Sequence, residues 1–267
     1  LQAETVSVAA TTAEVLRGLG LSPVDVSSVS VGAGAGPEAA ARTARYEALD
    51  AAAAAHGARF VLLGHTLDDQ AETVLLGLGR GSGPKSLAGM SSVSGSYLRP
   101  LLAIRRATTE AFCRDSSLDY WTDPQNSDPR FTRVKLRHEV LPLLEEALGG
   151  GVAEALARTA NLLRADASAL DLLAAELFAA EAQVAATSVT LDCEALAKHP
   201  SALSSRLIKL AIETVGGQTS ATAIDSVTAL VHDWHGQKPL TLPGVRVERT
   251  ARHIVLKTAK TLKPGAC

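Results

Sequence analysis

Four consecutive apolar residues, Phe60-Val-Leu-Leu63, stand between Arg59 and Gly64. A strand with no polar alternation is one covered on both faces, the situation inside an α/β layer. The flanking segments agree with that placement. Residues 3–19 read as a helix closed by Gly20, and the β-branched run Val24–Val31 reads as a strand. The glycine-rich stretch from Gly32 to Gly36 breaks that run, and Pro37-Glu38 opens a helix that continues to about His56. A further helix is expected from Asp68 to Leu78, followed by a glycine-rich loop. Such alternation predicts an α/β domain with an open, mostly parallel sheet.

After about residue 130 the strand signals thin out. Val152 to Gln183 reads as one long helix, with Leu156, Leu163 and Leu170 on one face at seven-residue spacing. Helices are also expected over 201–214 and 220–234, and a β-hairpin over 239–257 around Pro243-Gly244. The expected organisation is therefore an α/β domain over 1–138 and a second, mainly helical domain over 139–267 that ends in the hairpin.

Composition excludes several classes. With 46% hydrophobic and 20% charged residues, the 267-residue chain is neither disordered nor short of a core. No apolar run approaches the ~18 residues that span a bilayer, so no membrane partner is expected. Cys113, Cys193 and Cys267 are far apart and form no CxxC pair, which argues against a disulfide framework or cysteine zinc site and for a cytoplasmic setting. The net charge of −2 gives no bulk signal of nucleic-acid binding.

Local clusters say more. His65-Thr-Leu-Asp68-Asp69-Gln-Ala-Glu72-Thr73 follows the apolar strand and opens a helix, at the sheet edge where open α/β folds bind ligands. Asp69, Glu72 and Thr73 share a helix face, and two carboxylates there suit a hydrated Mg²⁺ or an ammonium group. Acids in a first turn also complement the helix dipole, a purely structural alternative. Arg80-Gly-Ser-Gly83 is a loop with a cation suited to phosphate, although Pro84 prevents a Walker-type loop. Glu38, Arg42 and Arg45 lie on one helix face and can form a solvated ion pair. Arg130, Arg133 and Arg137 would form one stripe on a helix, either a phosphate grip or a solvated face. His232-Asp-Trp-His235 has metal-like spacing but no evident third ligand, and reads as a surface helix end.

Taken in order, these segments resemble the tRNA(Ile)-lysidine synthetases of the ATP-pyrophosphatase (PP-loop) superfamily. The matching segments are Glu38-Ala-Ala-Ala-Arg42-Thr-Ala-Arg45-Tyr46, His65 to Thr73, and Arg80-Gly-Ser-Gly83. They continue through Leu87-Ala-Gly-Met90, Arg99-Pro-Leu-Leu102, Trp121-Thr-Asp-Pro-Gln-Asn126, and Phe131-Thr-Arg133 through Arg137 to Leu141-Pro-Leu-Leu144. Two departures accompany the match. Lys135 stands where the family commonly has arginine. The superfamily's Ser-Gly-Gly-x-Asp-Ser loop is not in the chain, and in the family it lies upstream of the position of Leu1. A fragment whose first strand and ATP loop precede Leu1 is expected. If the chain were the whole molecule, ATP binding would be impaired.

The resemblance implies a Rossmann-like PP-loop fold and an ATP-dependent ligation on RNA. The wobble cytidine of a tRNA(Ile) with a CAU anticodon would be adenylated at its C2 oxygen, and L-lysine would then displace AMP to give lysidine. ATP and Mg²⁺ are the implied cosubstrate and cofactor, and the resemblance is compatible with a homodimer. By motif position, Asp69 and Glu72 would be catalytic and hold lysine or Mg²⁺, with Asp68 supporting lysine. Arg42, His65 and Arg80 would face the nucleotide, and Arg99, Arg130, Arg133 and Arg137 the tRNA. The second domain would bind tRNA. Two rival readings are a tRNA 2-thiolation enzyme of the same superfamily, disfavoured by the lack of paired cysteines, and an inactive RNA-binding remnant.

Overall fold

The expected alternation of helices and strands recurs in a computed structural model that describes residues 4–32, 37–81 and 83–259. The chain divides into two units, Leu1–Asn161 and Leu162–Cys267. The first begins with α1 (Glu4–Gly18), α2 (Pro37–Ala55), β1 (Val61–Leu62), α3 (Leu67–Gly79) and α4 (Gly83–Leu87). It continues through β2 (Val93–Ser94), β3 (Tyr97–Leu98) and α5 (Arg106–Asp115). A 3₁₀ turn (Pro124–Ser127), α6 (Thr132–Lys135), a π-helical turn (Leu136–Val140) and α7 (Leu141–Ala147) then lead into α8 (Val152–Glu181). The unit boundary falls inside α8, so 139–161 lie with the first unit.

The first unit's sheet has the order β1-β3-β2, with β1 parallel and β2 antiparallel to β3. Two expectations are corrected here. The run 24–31 forms no strand among the described residues, and Val26 and Val31 are 56% and 40% exposed. β-Branched residues supply propensity, but a strand exists only where a ladder partner is in reach. With no partner on that side among the described residues, β1 lies at the edge of this sheet, and Phe60 and Leu62 are exposed rather than covered on both faces. The core behind the site joins Leu67 and Ala71 of α3 to Leu141 of α7 and Ala153 of α8. Glu145 fixes the start of α8 by accepting hydrogen bonds from the backbone N–H groups of Val152 (3.0 Å) and Ala153 (3.2 Å). Such a carboxylate satisfies donors that a helix start otherwise leaves open.

The second unit adds β4 (Gln183–Ala185), β5 (Ser188–Asp192), α9 (Cys193–Lys198), α10 (Ser201–Thr214) and α11 (Ala221–His232). It ends with β6 (Leu240–Leu242), β7 (Val245–Arg249) and β8 (His253–Thr258). The expected hairpin is β6–β7, turning at Pro243-Gly244, but it belongs to a five-stranded antiparallel sheet of order β4-β5-β8-β7-β6. Alternation along the strands sends Val189, Leu191, Val245, Val247, Ile254 and Leu256 inward against α10 and α11. Each such side chain contributes roughly 1.5–3 kcal/mol by leaving water. No helix of the described residues is long and apolar enough to cross a membrane.

Candidate functional site

The site starts where α3 starts. Thr66 has extended backbone at the N-cap, and Asp69 Oδ2 accepts from the Thr66 backbone N–H (2.7 Å) and hydroxyl (2.8 Å). Asp68 Oδ2 accepts from the Arg106 backbone N–H at 2.7 Å, which ties the start of α3 to that of α5. Behind this turn, the Gln70 amide donates to the Met90 carbonyl (3.0 Å) and accepts from its N–H (2.7 Å). Gly89 permits this clasp, because its φ is +58° and an added Cβ would fall 2.7 Å from Gln70 Oε1.

The i, i+3 spacing does place Asp69 and Glu72 together, and their partners are arginines. Glu72 is fully buried, and its Oε1 accepts from Arg137 Nε at 2.7 Å. Arg133 Nη1 lies 3.7 Å from Glu72 Oε2, an oxygen that accepts no hydrogen bond. Asp69 Oδ1 accepts from Arg106 Nη2 (2.7 Å) and Arg137 Nη2 (3.4 Å). Three guanidiniums thus surround two carboxylates. Burial pushes the Asp69 carboxyl up, but the Thr66 backbone, Arg106, the Thr66 hydroxyl and Arg137 together hold it below the usual aspartate value. Asp69 is therefore held in its carboxylate form, and the guanidiniums of the cluster outnumber its acids.

Asp69 and Glu72 do not fit a Mg²⁺ site in this arrangement. Both Asp69 oxygens and Glu72 Oε1 are occupied by protein donors, and a divalent cation would be set against three arginines. No group of three or more acidic, histidine or cysteine side chains suited to a metal occurs among the described residues. A cationic rim of this kind suits phosphate or carboxylate, which guanidinium forks bind in two-point fashion.

Arg106 and Arg137 line a cavity of about 550 Å³ together with Asp69, Glu110, Tyr120 and Trp121. His65, just before α3, has its pKa lowered by burial, opposed by Asp69 and reinforced by Arg99, Arg42 and Arg45. Its Nδ1 is buried without a hydrogen-bond partner.

The other expected residues take no part in the acid–arginine ion pairs, although Arg42 and Arg99 act on His65. Arg42 is exposed on α2, its guanidinium 4.9 Å from the Tyr46 ring centroid. Arg80 follows the C-terminal end of α3, roughly 16 Å along the helix from Asp69 at 1.5 Å per residue. Arg99 is buried, donates to the Ser91 carbonyl at 2.8 Å, and lines a separate cavity with Arg158. Arg130 precedes α6 and pairs with Asp128 at 2.6 Å, so the expected three-arginine stripe keeps only Arg133 and Arg137. The Glu38 side chain lies outside the described residues.

Arg105, Arg106 and Glu110 are site residues that the sequence reading passed over. Arg105 lies 3.4 Å from Asp68 and 3.4 Å from Glu154. The available signal was the Arg105-Arg106 pair directly after Arg99-Pro-Leu-Leu102, at the head of a polar helix.

A PP-loop domain model matches residues 1–144, which makes this part of the chain a PP-loop domain. A model of the TilS substrate binding domain matches residues 191–254. The tRNA(Ile)-lysidine synthase of Leifsonia xyli subsp. xyli is 55% identical over 253 residues, covering 93% of this chain and 76% of that protein. The enzymes of the same name from Streptomyces coelicolor and Thermobifida fusca are 53% and 48% identical. They align over 88% and 95% of this chain, and over 67% and 78% of their own lengths. The chain belongs to the tRNA(Ile)-lysidine synthase family.

Proposed function

We propose that the chain carries out ATP-dependent ligation of L-lysine to C2 of the wobble cytidine in a tRNA(Ile) with a CAU anticodon. The observation that carries this reading beyond family membership is the cluster of Arg106, Arg133 and Arg137 around Asp69 and Glu72, at the edge of a cavity of about 550 Å³. The reaction moves negative charge. The cytidine C2 oxygen attacks the α-phosphorus of ATP and pyrophosphate leaves. The lysine amine then attacks C2, gives up a proton, and the C2–oxygen bond breaks to release AMP. Fixed guanidiniums oppose the charge that develops in both steps without reorganising.

In this reading Asp69 and Glu72 are positioning residues, which hold Arg106 and Arg137 in place, and Asp68 fixes the start of α5. His65 and Arg42 are assigned to the nucleotide. Arg80 is assigned to the nucleotide with them, and the exposed Arg130 to the tRNA backbone, where each phosphate contact adds salt-dependent affinity. The test is AMP release from ATP by the chain with a CAU-anticodon tRNA transcript. Release that requires both the tRNA and lysine for sustained turnover supports the reading; release independent of lysine contradicts it.

A further inference from the structure

We propose that the cavity lined by Arg99 and Arg158 is a second binding site, one that takes a phosphate monoester. It encloses about 480 Å³, within the range of small-ligand sites, and all of its lining residues belong to the first unit. Leu67 and Gln70 of α3 line this cavity, whereas Asp69 lines the other. Arg99 is the decisive side chain. It is only 8% exposed, and its one hydrogen bond among the described residues runs from Nη1 to the Ser91 carbonyl at 2.8 Å. Its Nε is buried without a partner, and no carboxylate of the described residues lies within ion-pair distance of it. A guanidinium taken out of water is costly unless an anion pairs with it.

The rest of the lining selects the anion. Arg158 is exposed on α8 and forms no ion pair or hydrogen bond with a described residue. Asn161, three positions further on, shares its helix face and adds an amide. Glu154 is the one acid in the lining, and it sits 3.4 Å from Arg105, which offsets its charge. Two guanidiniums on one cavity match a dianion, so a phosphate monoester fits better than the singly charged carboxylate or phosphodiester. Burial of Arg99 selects the same class. A terminal phosphate can enter a cavity and reach a covered guanidinium, whereas a phosphate within an RNA chain continues on both sides. Leu67, Pro100 and Leu102 supply an apolar wall for the body of the molecule.

The test titrates the whole chain with inorganic phosphate and with ribose 5-phosphate by calorimetry. Neither tRNA, ATP nor lysine is present, so the outcome is independent of the ligation reading. Loss of a charge-assisted hydrogen bond predicts a Kd raised roughly ten- to a hundredfold in Arg158→Gln, with part of the loss recovered in Arg158→Lys. Because Arg158 is exposed, Arg158→Gln should melt at the wild-type temperature when phosphate is absent. Tighter binding of ribose 5-phosphate than of phosphate supports the site with an organic monoester as its ligand, and equal binding supports it with the free ion. Arg99 is among the charges that lower the His65 pKa, so saturating phosphate should also raise the His65 midpoint in an NMR titration, an effect lost in Arg99→Met. No phosphate binding by the wild type, an equal Kd in Arg158→Gln, or a His65 midpoint unmoved by phosphate overturns the assignment. Weaker tRNA binding in Arg158→Gln with no phosphate binding by the wild type makes the cavity a grip on the RNA backbone, and overturns it as well.

Discussion

Replacing Glu72 with glutamine keeps the shape of a fully buried side chain and removes its charge. Arg137 Nε, 2.7 Å away, then faces a neutral amide, and Arg133 at 3.7 Å loses the attraction of the Glu72 carboxylate. A hydrogen bond between charged groups contributes about 1.5–3 kcal/mol, and breaking a buried pair by removing one partner costs about 3–5 kcal/mol. The Arg137 and Arg133 side chains retain 22% and 37% exposure, so water offsets part of the loss. The expected cost is therefore about 2–3 kcal/mol, towards the lower of those ranges. Urea unfolding followed by Trp121 fluorescence measures it in a Trp234→Phe background, because Trp121 belongs to the first unit and Trp234 to the second. Glu72→Gln and Arg137→Gln should also be non-additive, with a coupling of about 1 kcal/mol or more. A loss below about 0.5 kcal/mol, or additive effects, would refute the claim that this buried pair holds α3 against the π-helical turn.

Other outcomes follow from the same geometry. Asp69 is held below its ordinary pKa of 3.8, so its contribution is present above that pH and lost as the pH falls through its lower folded value. The stability gap between wild type and Asp69→Asn, measured by acid titration, should accordingly close under acid conditions. His65 is lowered by burial and by Arg99, Arg42 and Arg45, so its folded form favours the neutral ring; NMR titration should give a midpoint below 6.5. Any stability linked to that shift declines as pH falls through 6.5, since the unfolded ring then takes up the proton first. Gly217→Ala would set a Cβ 2.3 Å from Val245 Cγ2 and 2.8 Å from Ile212 Cγ2. Overpacking of this kind costs about 1–3 kcal/mol, to be read as a lower melting temperature of the second unit.

Local periodicity carried much of this structure. The spacing of Asp69 and Glu72 gave a shared helix face, and the expected helix over 201–214 matches α10 in extent. Long-range pairing was less accessible. Glu72 and Arg137 are 65 positions apart, and nothing in either segment says that one neutralises the other. The arginine stripe was drawn on an assumed continuous helix, whereas the helix starts at Thr132 and widens into a π-helical turn at Leu136–Val140. Arg130 is left outside it with Asp128, while Arg133 and Arg137 turn to the acids. Residues 24–31 show the converse error, strong β propensity with no ladder partner. β5 was overlooked although Ser188–Asp192 alternates, because its short run sits between long helical segments and gains its meaning only by pairing with β8.

On this reading the arginine-rimmed cavity serves lysine transfer to RNA. The most direct measurement is mass spectrometry of nucleosides from a CAU-anticodon tRNA incubated with the chain, ATP and isotopically labelled lysine. One labelled lysine on the wobble cytidine is expected for each AMP released, with incorporation strongly reduced by Arg106→Met. Unmodified cytidine after ATP consumption, or label on any other nucleoside, would contradict it.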